Sequence, residues 1–384
     1  MKLAVPKERR SDEARVAISP EVAKKLVGLG VEVVVETGAG LGADVTDDML
    51  KDVGVTIAPD AKSALGDADL VWKIQRPMTA DEGTDEVALM KRGATLMCHL
   101  NALTNKPLVE ALASAGVSAF AMELMPRISR AQSMDILSSQ ANLGGYKAVI
   151  EGANAFSRAF PMMMTAAGTV PPARVLVFGA GVAGLQAVAT AKRMGAVVQA
   201  TDVRPATREQ VESLGGKFVT VDEEMEKQAE TEGGYAKEMP PEYFEKQKQV
   251  ISEVLKKVDI VITTALIPGR PAPKLVSAEQ VRTMKKGAVI VDMAVEAGGN
   301  CALSELGKMV EVEGVKIIGY PNLPSRVAAD ASPLFAKNLL NFFTPMFDKE
   351  SKGFSFNWED ETIKGTCVTH DGKVVHPALA GGSN

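Results

Sequence analysis

The sequence predicts an α/β protein made of two parallel-sheet domains joined by long helices. Three observations predict it. Short, β-branched strands alternate with helical stretches, the pattern of a parallel sheet covered by helices on both faces. The alternation runs twice, once up to Met122 and again beyond the Gly/Pro-containing connection AAGTVPPA. The chain has 384 residues, 46% of them apolar, too many for one ordinary core.

In the first series KLAVP, VEVVVE and DLVWKI read as strands, with helical stretches Pro20 to Gly28 and Ala61 to Leu65 between them. ATLMCHL, a helix and VSAFAME repeat the theme. A long helical stretch is expected from about Ser133 to Phe160, crossing between the domains. RVLVF, VVQATD, KFVTV, DIVITTA, AVIVDM and KIIGY read as the second set of strands. Gly195 and Gly215–Gly216 mark helix ends. Ser277 to Gln280 and Thr207 to Gln210 have capping-box spacing. Past Tyr320, PSRVAADASPLFAKNLLNFF reads as a helix returning the chain to the first domain. The expected domains are therefore 1–137 plus 328–384, and 138–327.

The formal net charge is −5, with the two signs interspersed, which argues against a nucleic-acid protein. Three widely spaced cysteines without a CxxC read as buried free thiols in a reducing compartment. The three histidines have no metal-ligand spacing, so no metal site is expected. MKLAVPKERR does not read as a signal peptide. The apolar run Val175 to Ala191 approaches the length of a membrane span. Its three glycines instead suit a strand, a turn and a helix, and no membrane segment is predicted.

That run holds the sharpest motif. Gly179-Ala180-Gly181-Val182-Ala183-Gly184 is a GxGxxG that follows the strand RVLVF and opens a helix. The first glycine allows the tight turn, the second lets backbone approach a pyrophosphate, and the third permits close helix–strand packing. The helix N-terminus offers N–H groups and partial positive charge to the anion. Asp202 ends the next strand, where a carboxylate hydrogen-bonds both adenosine ribose hydroxyls and repels a 2′-phosphate. This favours NAD over NADP, although nearby Arg204 weakens the preference.

PRISRAQSMDILSSQ, Pro126 to Gln140, is unusually polar between apolar stretches. Its Arg127, Arg130, Gln132, Asp135 and Ser138 offer guanidinium, amide, carboxylate and hydroxyl groups able to fix a nicotinamide carboxamide and its ribose. The plainer alternative is a helix start, with Ser129 and Gln132 as a capping box. Val221 to Gln249 is a charged insertion where a short connection is expected. Its Gly233-Gly234 can act as a hinge and Tyr235 as a cover, or the segment is simply a solvated excursion.

Taken together, PKERRSDEARVAISPE, WKIQRPMTADEGTDEVAL, MELMPRISRAQSMDILSSQ, TAAGTVPPARVLVFGAGVAGLQA, GGYAKEM, TTALIPGRPAP, AVEAGGNC and SRVAADASPLFAKN resemble the NAD(H)-binding component of proton-translocating NAD(P) transhydrogenases. The resemblance spans essentially the whole chain. It implies two Rossmann-like domains with an interdomain cleft, and a homodimer. It implies that Gly179, Ala180, Gly181, Val182 and Gly184 hold the pyrophosphate, and that Asp202, Val203 and Arg204 line the adenosine ribose pocket. Arg127, Ile128, Ser129, Arg130, Gln132, Asp135 and Ser138 would position the nicotinamide half. Gly234 and Tyr235 match the family's mobile loop, and Gln247 and Leu266 would add contacts.

The implied reaction is direct hydride transfer from NADH bound here to NADP+ on a partner component. Membrane-spanning subunits would couple it to proton translocation, and the chain would lie on the cytoplasmic face of the inner membrane through those partners. Alanine dehydrogenases, a related family with the same two-domain plan, are the alternative. Arg15, Lys73 and His99 sit in segments resembling their substrate site. Gln75, however, stands where those enzymes carry a lysine, and Glu296 lies in the segment of their aspartate. A non-catalytic NAD sensor is a third possibility.

Overall fold

The computed structural model describes residues 1–204, 206–222, 224–225, 240–267, 269–348, 350–351 and 353–380. It divides into two compact units, Met1–Gln140 with Pro324–Asn384, and Ala141–Leu323. The helix Ile136–Ala155 contains the first boundary.

The strands of the first unit are, in chain order, β1 (Lys2–Val5), β2 (Glu32–Glu36), β3 (Thr56–Ala58), β4 (Leu70–Gln75), β5 (Thr95–His99) and β6 (Ser118–Ala121). In the second unit a hairpin, β7 (Met163–Thr165) and β8 (Gly168–Val170), precedes the main strands. These are β9 (Arg174–Phe178), β10 (Val197–Thr201), β11 (Lys217–Phe218), β12 (Ile260–Thr263), β13 (Val289–Asp292), β14 (Met309–Val312) and β15 (Val315–Ile318). The small pair β16 (Phe347–Asp348) and β17 (Gly353–Phe354), then β18 (Cys367–His370) and β19 (Lys373–Val374), belong to the first unit.

The first sheet has the order β19-β18-β6-β5-β4-β1-β2-β3. It is parallel from β6 to β3, and the C-terminal strands extend it antiparallel. The second has the order β11-β10-β9-β12-β13-β15-β14, parallel except for β14 against β15. In each sheet the chain winds outward from one strand, then restarts on its other side. Those strands are β1 and β9, and the crevice beside the carboxyl end of such a strand is where open α/β sheets bind ligands.

Each central strand owes its place to its residues. Val175, Leu176 and Val177 are fully buried, as a parallel strand covered on both faces requires. The helix Ala328–Phe343 buries Phe335, Leu339, Phe342 and Phe343 in the first unit's core, where Trp72 of β4 meets Phe343 edge-on at 6.1 Å.

Several local expectations need correction. The helix expected from Ser133 to Phe160 is Ile136–Ala155, preceded by a 3-10 turn at Ser129–Met134. The connection AAGTVPPA contributes to the β7–β8 hairpin, whose Met163 and Met164 are exposed. The Ser277–Gln280 capping box forms, with both reciprocal bonds. The Thr207–Gln210 one does not. Helix Thr207–Ser213 starts at Ala206 without a side-chain cap, and the Thr207 hydroxyl donates to the Arg204 carbonyl at 2.7 Å. Cys98, Cys301 and Cys367 are buried and unpaired.

Lys73 is the most buried cation among the described residues of the first unit, 1% exposed, on the apolar strand β4. Its Nζ donates to Glu8 and Glu86 at 3.1 Å each. Glu8 accepts in addition from the Ile74 N–H at 2.7 Å, and Arg9 lies between Glu86 and Glu36. Burial pushes the Glu8 carboxyl up, and Lys73 opposes that push. Lys73→Met should therefore leave two buried carboxylates without their main partner and cost about 3–5 kcal/mol in urea unfolding. A carboxyl with a raised folded-state value holds its proton more tightly when folded, so the variant's deficit should grow as pH rises from about 5 to about 8. A deficit below about 1 kcal/mol, or one independent of pH, would show that the network is dispensable.

Candidate functional site

In the second unit three loops leave the carboxyl ends of adjacent strands β10, β9 and β12. The first is the glycine turn after Phe178. Gly179 has φ +92°, and a Cβ there would lie 2.5 Å from the Thr264 hydroxyl oxygen. Gly184 packs so tightly that a Cβ would lie 1.8 Å from the Gly179 carbonyl oxygen. Both demands select glycine. The helix Val182–Arg193 begins at Gly181 with no side-chain cap, so its first N–H groups face outward as an anion site. Val182 is exposed at this tip and Ala180 is buried.

The second loop carries Asp202. Its side chain is 6% exposed, and its Oδ2 accepts from the Ala180 N–H at 2.7 Å, tying β10 to the glycine turn. Arg204 donates to it from Nε and Nη2. Burial pushes this carboxyl up, but the Arg204 guanidinium and the Ala180 N–H prevail and hold it below the usual carboxylate range. Asp202 is thus ionised at neutral pH. Val203 packs against the fully buried Tyr243.

The third loop, after β12, is pinned from below. Asp292 is buried and accepts from Thr263 Oγ1, the N–H groups of Ala294, Asn300 and Cys301, and Ser304 Oγ, at 2.6–3.1 Å. Asn300, fully buried, bonds both the N–H and the carbonyl of Ala265. Leu266 is held on this frame with its side chain 58% exposed. Gln247 is half-buried on the helix Pro241–Leu255. Gly234 and Tyr235 lie outside the described residues.

Sequence reasoning missed Thr264, Asp292 and Asn300. The visible signal was a polar residue at the end of an otherwise apolar strand, in VITTA and VIVDM.

The first unit carries the polar segment after β6. Ala131 and Met134 are buried at the 3-10 spacing of three, while Arg127, Ser129, Arg130 and Gln132 are exposed and Ile128 is half-buried. Asn338 and Asn341 of the helix Ala328–Phe343 both donate to the Ser133 carbonyl, at 2.8 and 3.0 Å. The expected Ser129–Gln132 capping box does not form, since Ile128 is the N-cap residue and no side chain caps the turn. The capping role falls to Asp135. It accepts from Ser138 N at 3.0 Å and Ser138 Oγ at 2.5 Å, at the start of Ile136–Ala155. Arg130 is bidentate to Asp360 at 2.6 and 3.0 Å, which joins the segment to the helix Glu361–Thr366 and lowers the Asp360 carboxyl. Gln132 takes part in neither fastening and presents its amide outward.

The residues that suggested an amino-acid site are placed differently. Lys73 belongs to the buried network. Arg15 donates to Glu13 from Nε and Nη2 and to Gln140 from Nη1. Gln75 donates to the same Glu13 at 2.9 Å. His99 ends β5 beside Gln75, and Glu296 accepts from the Asn322 N–H.

Residues 4–144 match the family model described as alanine dehydrogenase/PNT, N-terminal domain, and residues 148–377 its C-terminal counterpart. The chain belongs to the alanine dehydrogenase/PNT family. Within it, the chain is 71% identical over 381 residues to an NAD(P) transhydrogenase subunit alpha chain of Rhodospirillum rubrum, covering 99% of each chain. It matches the crystal structure of transhydrogenase from Sinorhizobium meliloti with TM-score 0.85 and 47% identity, over 98% of this chain and 100% of that one. An L-alanine dehydrogenase structure matches with TM-score 0.81 but 26% identity, over 99% and 98% of the two chains. Alanine dehydrogenases are thus distant relatives, and the chain groups with the transhydrogenase subunits. Among the described residues no helix is long and apolar enough to cross a membrane.

Gly184→Ala should test the close approach that builds the glycine turn. The added methyl must push the helix off Gly179, at a cost of about 1–3 kcal/mol in chemical unfolding. Unchanged stability would mean that the helix start relaxes freely.

Proposed function

We propose that this chain is the NAD(H)-binding component of a proton-translocating NAD(P) transhydrogenase. The observation that carries the proposal is an open glycine turn beside an ionised Asp202, at one strand-order reversal, in a chain 71% identical to a transhydrogenase alpha-subunit chain. These residues fit a dinucleotide. The uncapped helix start suits a pyrophosphate, and a buried carboxylate suits a diol.

Bound NADH supplies a hydride, which passes directly to NADP+ held on a partner component. The chain's own groups work by position. Gly179, Ala180, Gly181, Val182 and Gly184 offer backbone to the pyrophosphate. Asp202, Val203 and Arg204 receive the adenosine ribose, with Gln247 and Leu266 beside it and Gly234 and Tyr235 covering it. Arg127, Ile128, Ser129, Arg130, Gln132, Asp135 and Ser138 serve the nicotinamide half, Gln132 through its outward amide and Arg130 by bracing the turn on Asp360. No proton needs to move, because hydride passes between two carbons, and rate comes from fixing their approach. In this reading the protein works as a homodimer with an NADP(H)-binding subunit and membrane-spanning subunits. It sits on the cytoplasmic face of the inner membrane through them.

The purified chain mixed with a recombinant NADP(H)-binding transhydrogenase component should give a stopped-flow burst of hydride transfer from NADH to a spectrally distinct NADP+ analogue. L-alanine with NAD+ is the control. Alanine turnover by the chain alone, or no burst with both proteins present, would overturn the reading. In the same assay Gln132→Asn should slow the burst at least about tenfold while NADH binding changes less than about threefold. Equal losses in both would reduce Gln132 to an affinity contact.

A further inference from the structure

Asp202 is saturated in this structure. Its Oδ1 accepts from the Arg204 N–H at 2.9 Å and from Arg204 Nε at 2.9 Å. Its Oδ2 accepts from the Ala180 N–H at 2.7 Å and from Arg204 Nη2 at 2.8 Å. A carboxylate offers about four lone-pair directions, and all are used. The two backbone bonds belong to the frame of the site. The two guanidinium bonds do not, and the Arg204 side chain is 32% exposed. Its Nη2 lies 3.8 Å from the point where a Cβ on Gly181 would stand. The guanidinium therefore rests between the carboxylate and the glycine turn.

A ribose diol needs two acceptor directions on this carboxylate. It can gain them only where Arg204 Nε and Nη2 let go, since Ala180 N and Arg204 N are fixed by backbone. The released guanidinium stays tethered two residues from Asp202, beside the 2′ position of the ribose. A 2′-phosphate there would meet two opposing charges. Asp202 repels it, and a planar guanidinium fork pairs with it.

We infer, resting on the nucleotide-binding reading above, that Arg204 is an internal competitor for the ribose-binding carboxylate and sets how strictly this site excludes a 2′-phosphate. It holds back the NADH ribose by occupying Asp202, and it offsets the repulsion of NADPH. Both effects narrow the discrimination that Asp202 alone would impose.

The test uses the full chain, unaltered and as R204Q and R204K. Each is titrated calorimetrically with NADH, NADPH, 5′-ADP and 2′,5′-ADP. R204Q should bind NADH and 5′-ADP at least as tightly as the unaltered chain, and NADPH and 2′,5′-ADP about tenfold more weakly. R204K, which keeps the charge without the fork, should hold 2′,5′-ADP within about threefold of the unaltered chain. Added salt should weaken 2′,5′-ADP binding more steeply in the unaltered chain than in R204Q.

Equal weakening of 5′-ADP and 2′,5′-ADP in R204Q would overturn the inference, because Arg204 would then merely hold Asp202 in place. Unchanged 2′,5′-ADP binding in R204Q, or none by an unaltered chain that binds NADH, would also overturn it. An unaltered chain that binds neither NADH nor 5′-ADP would instead fail at the earlier step and remove the nucleotide reading itself.

Discussion

At Gly184 the first turn of a helix rests on the end of a strand so closely that a single methyl group would stand 1.8 Å from the Gly179 carbonyl oxygen. Much of the second unit's site follows from this approach. The helix start can aim its N–H groups at an anion only because its axis meets the sheet there. Ala180, drawn into the same turn, reaches Asp202 with its N–H, so the two outer loops share one hydrogen bond. The Thr264 hydroxyl, donating to the Phe178 carbonyl, brings the loop after β12 against the same point. Three separate stretches of sequence thus become one surface at the reversal of strand order.

Both units position exposed polar groups by anchoring backbone to buried polar side chains. Asp292 and Asn300 hold the loop of Leu266, and Asn338 holds the turn of Gln132. Each buried group satisfies itself on backbone, so its desolvation is offset by hydrogen bonds that also define loop geometry. Arg130 and Asp135 act the same way nearer the surface. The side chains that remain outward, Gln132 among them, gain orientation from groups that never touch a ligand.

Much of the architecture was legible in the sequence. The strands KLAVP, RVLVF and DIVITTA are β-branched runs buried on both faces, and such runs have few other uses. The glycine turn was legible because its spacing expresses a steric demand. The capping residues were legible only in part. Ser277 caps as its spacing suggests, whereas Thr207 and Ser129, with equivalent spacing, do not. A cap needs the helix to begin there, and where helices begin depends on packing. Buried Ala131 and Met134, stapled by Asn338, wind Ser129–Met134 as a 3-10 turn and pass the helix start to Asp135.

By itself the sequence determined the local periodicities, the two α/β series, the steric signature of the glycine turn and the family, since each is written in neighbouring residues. Tertiary structure alone decided the strand order that makes β1 and β9 the pivots. It also decided the addition of β18 and β19 to the first sheet, the burial of Lys73 between two glutamates, and the engagement of Asp202 by Arg204. Those outcomes depend on which distant or rotatable groups come within about 3 Å of one another, a distance that spacing along the chain does not encode.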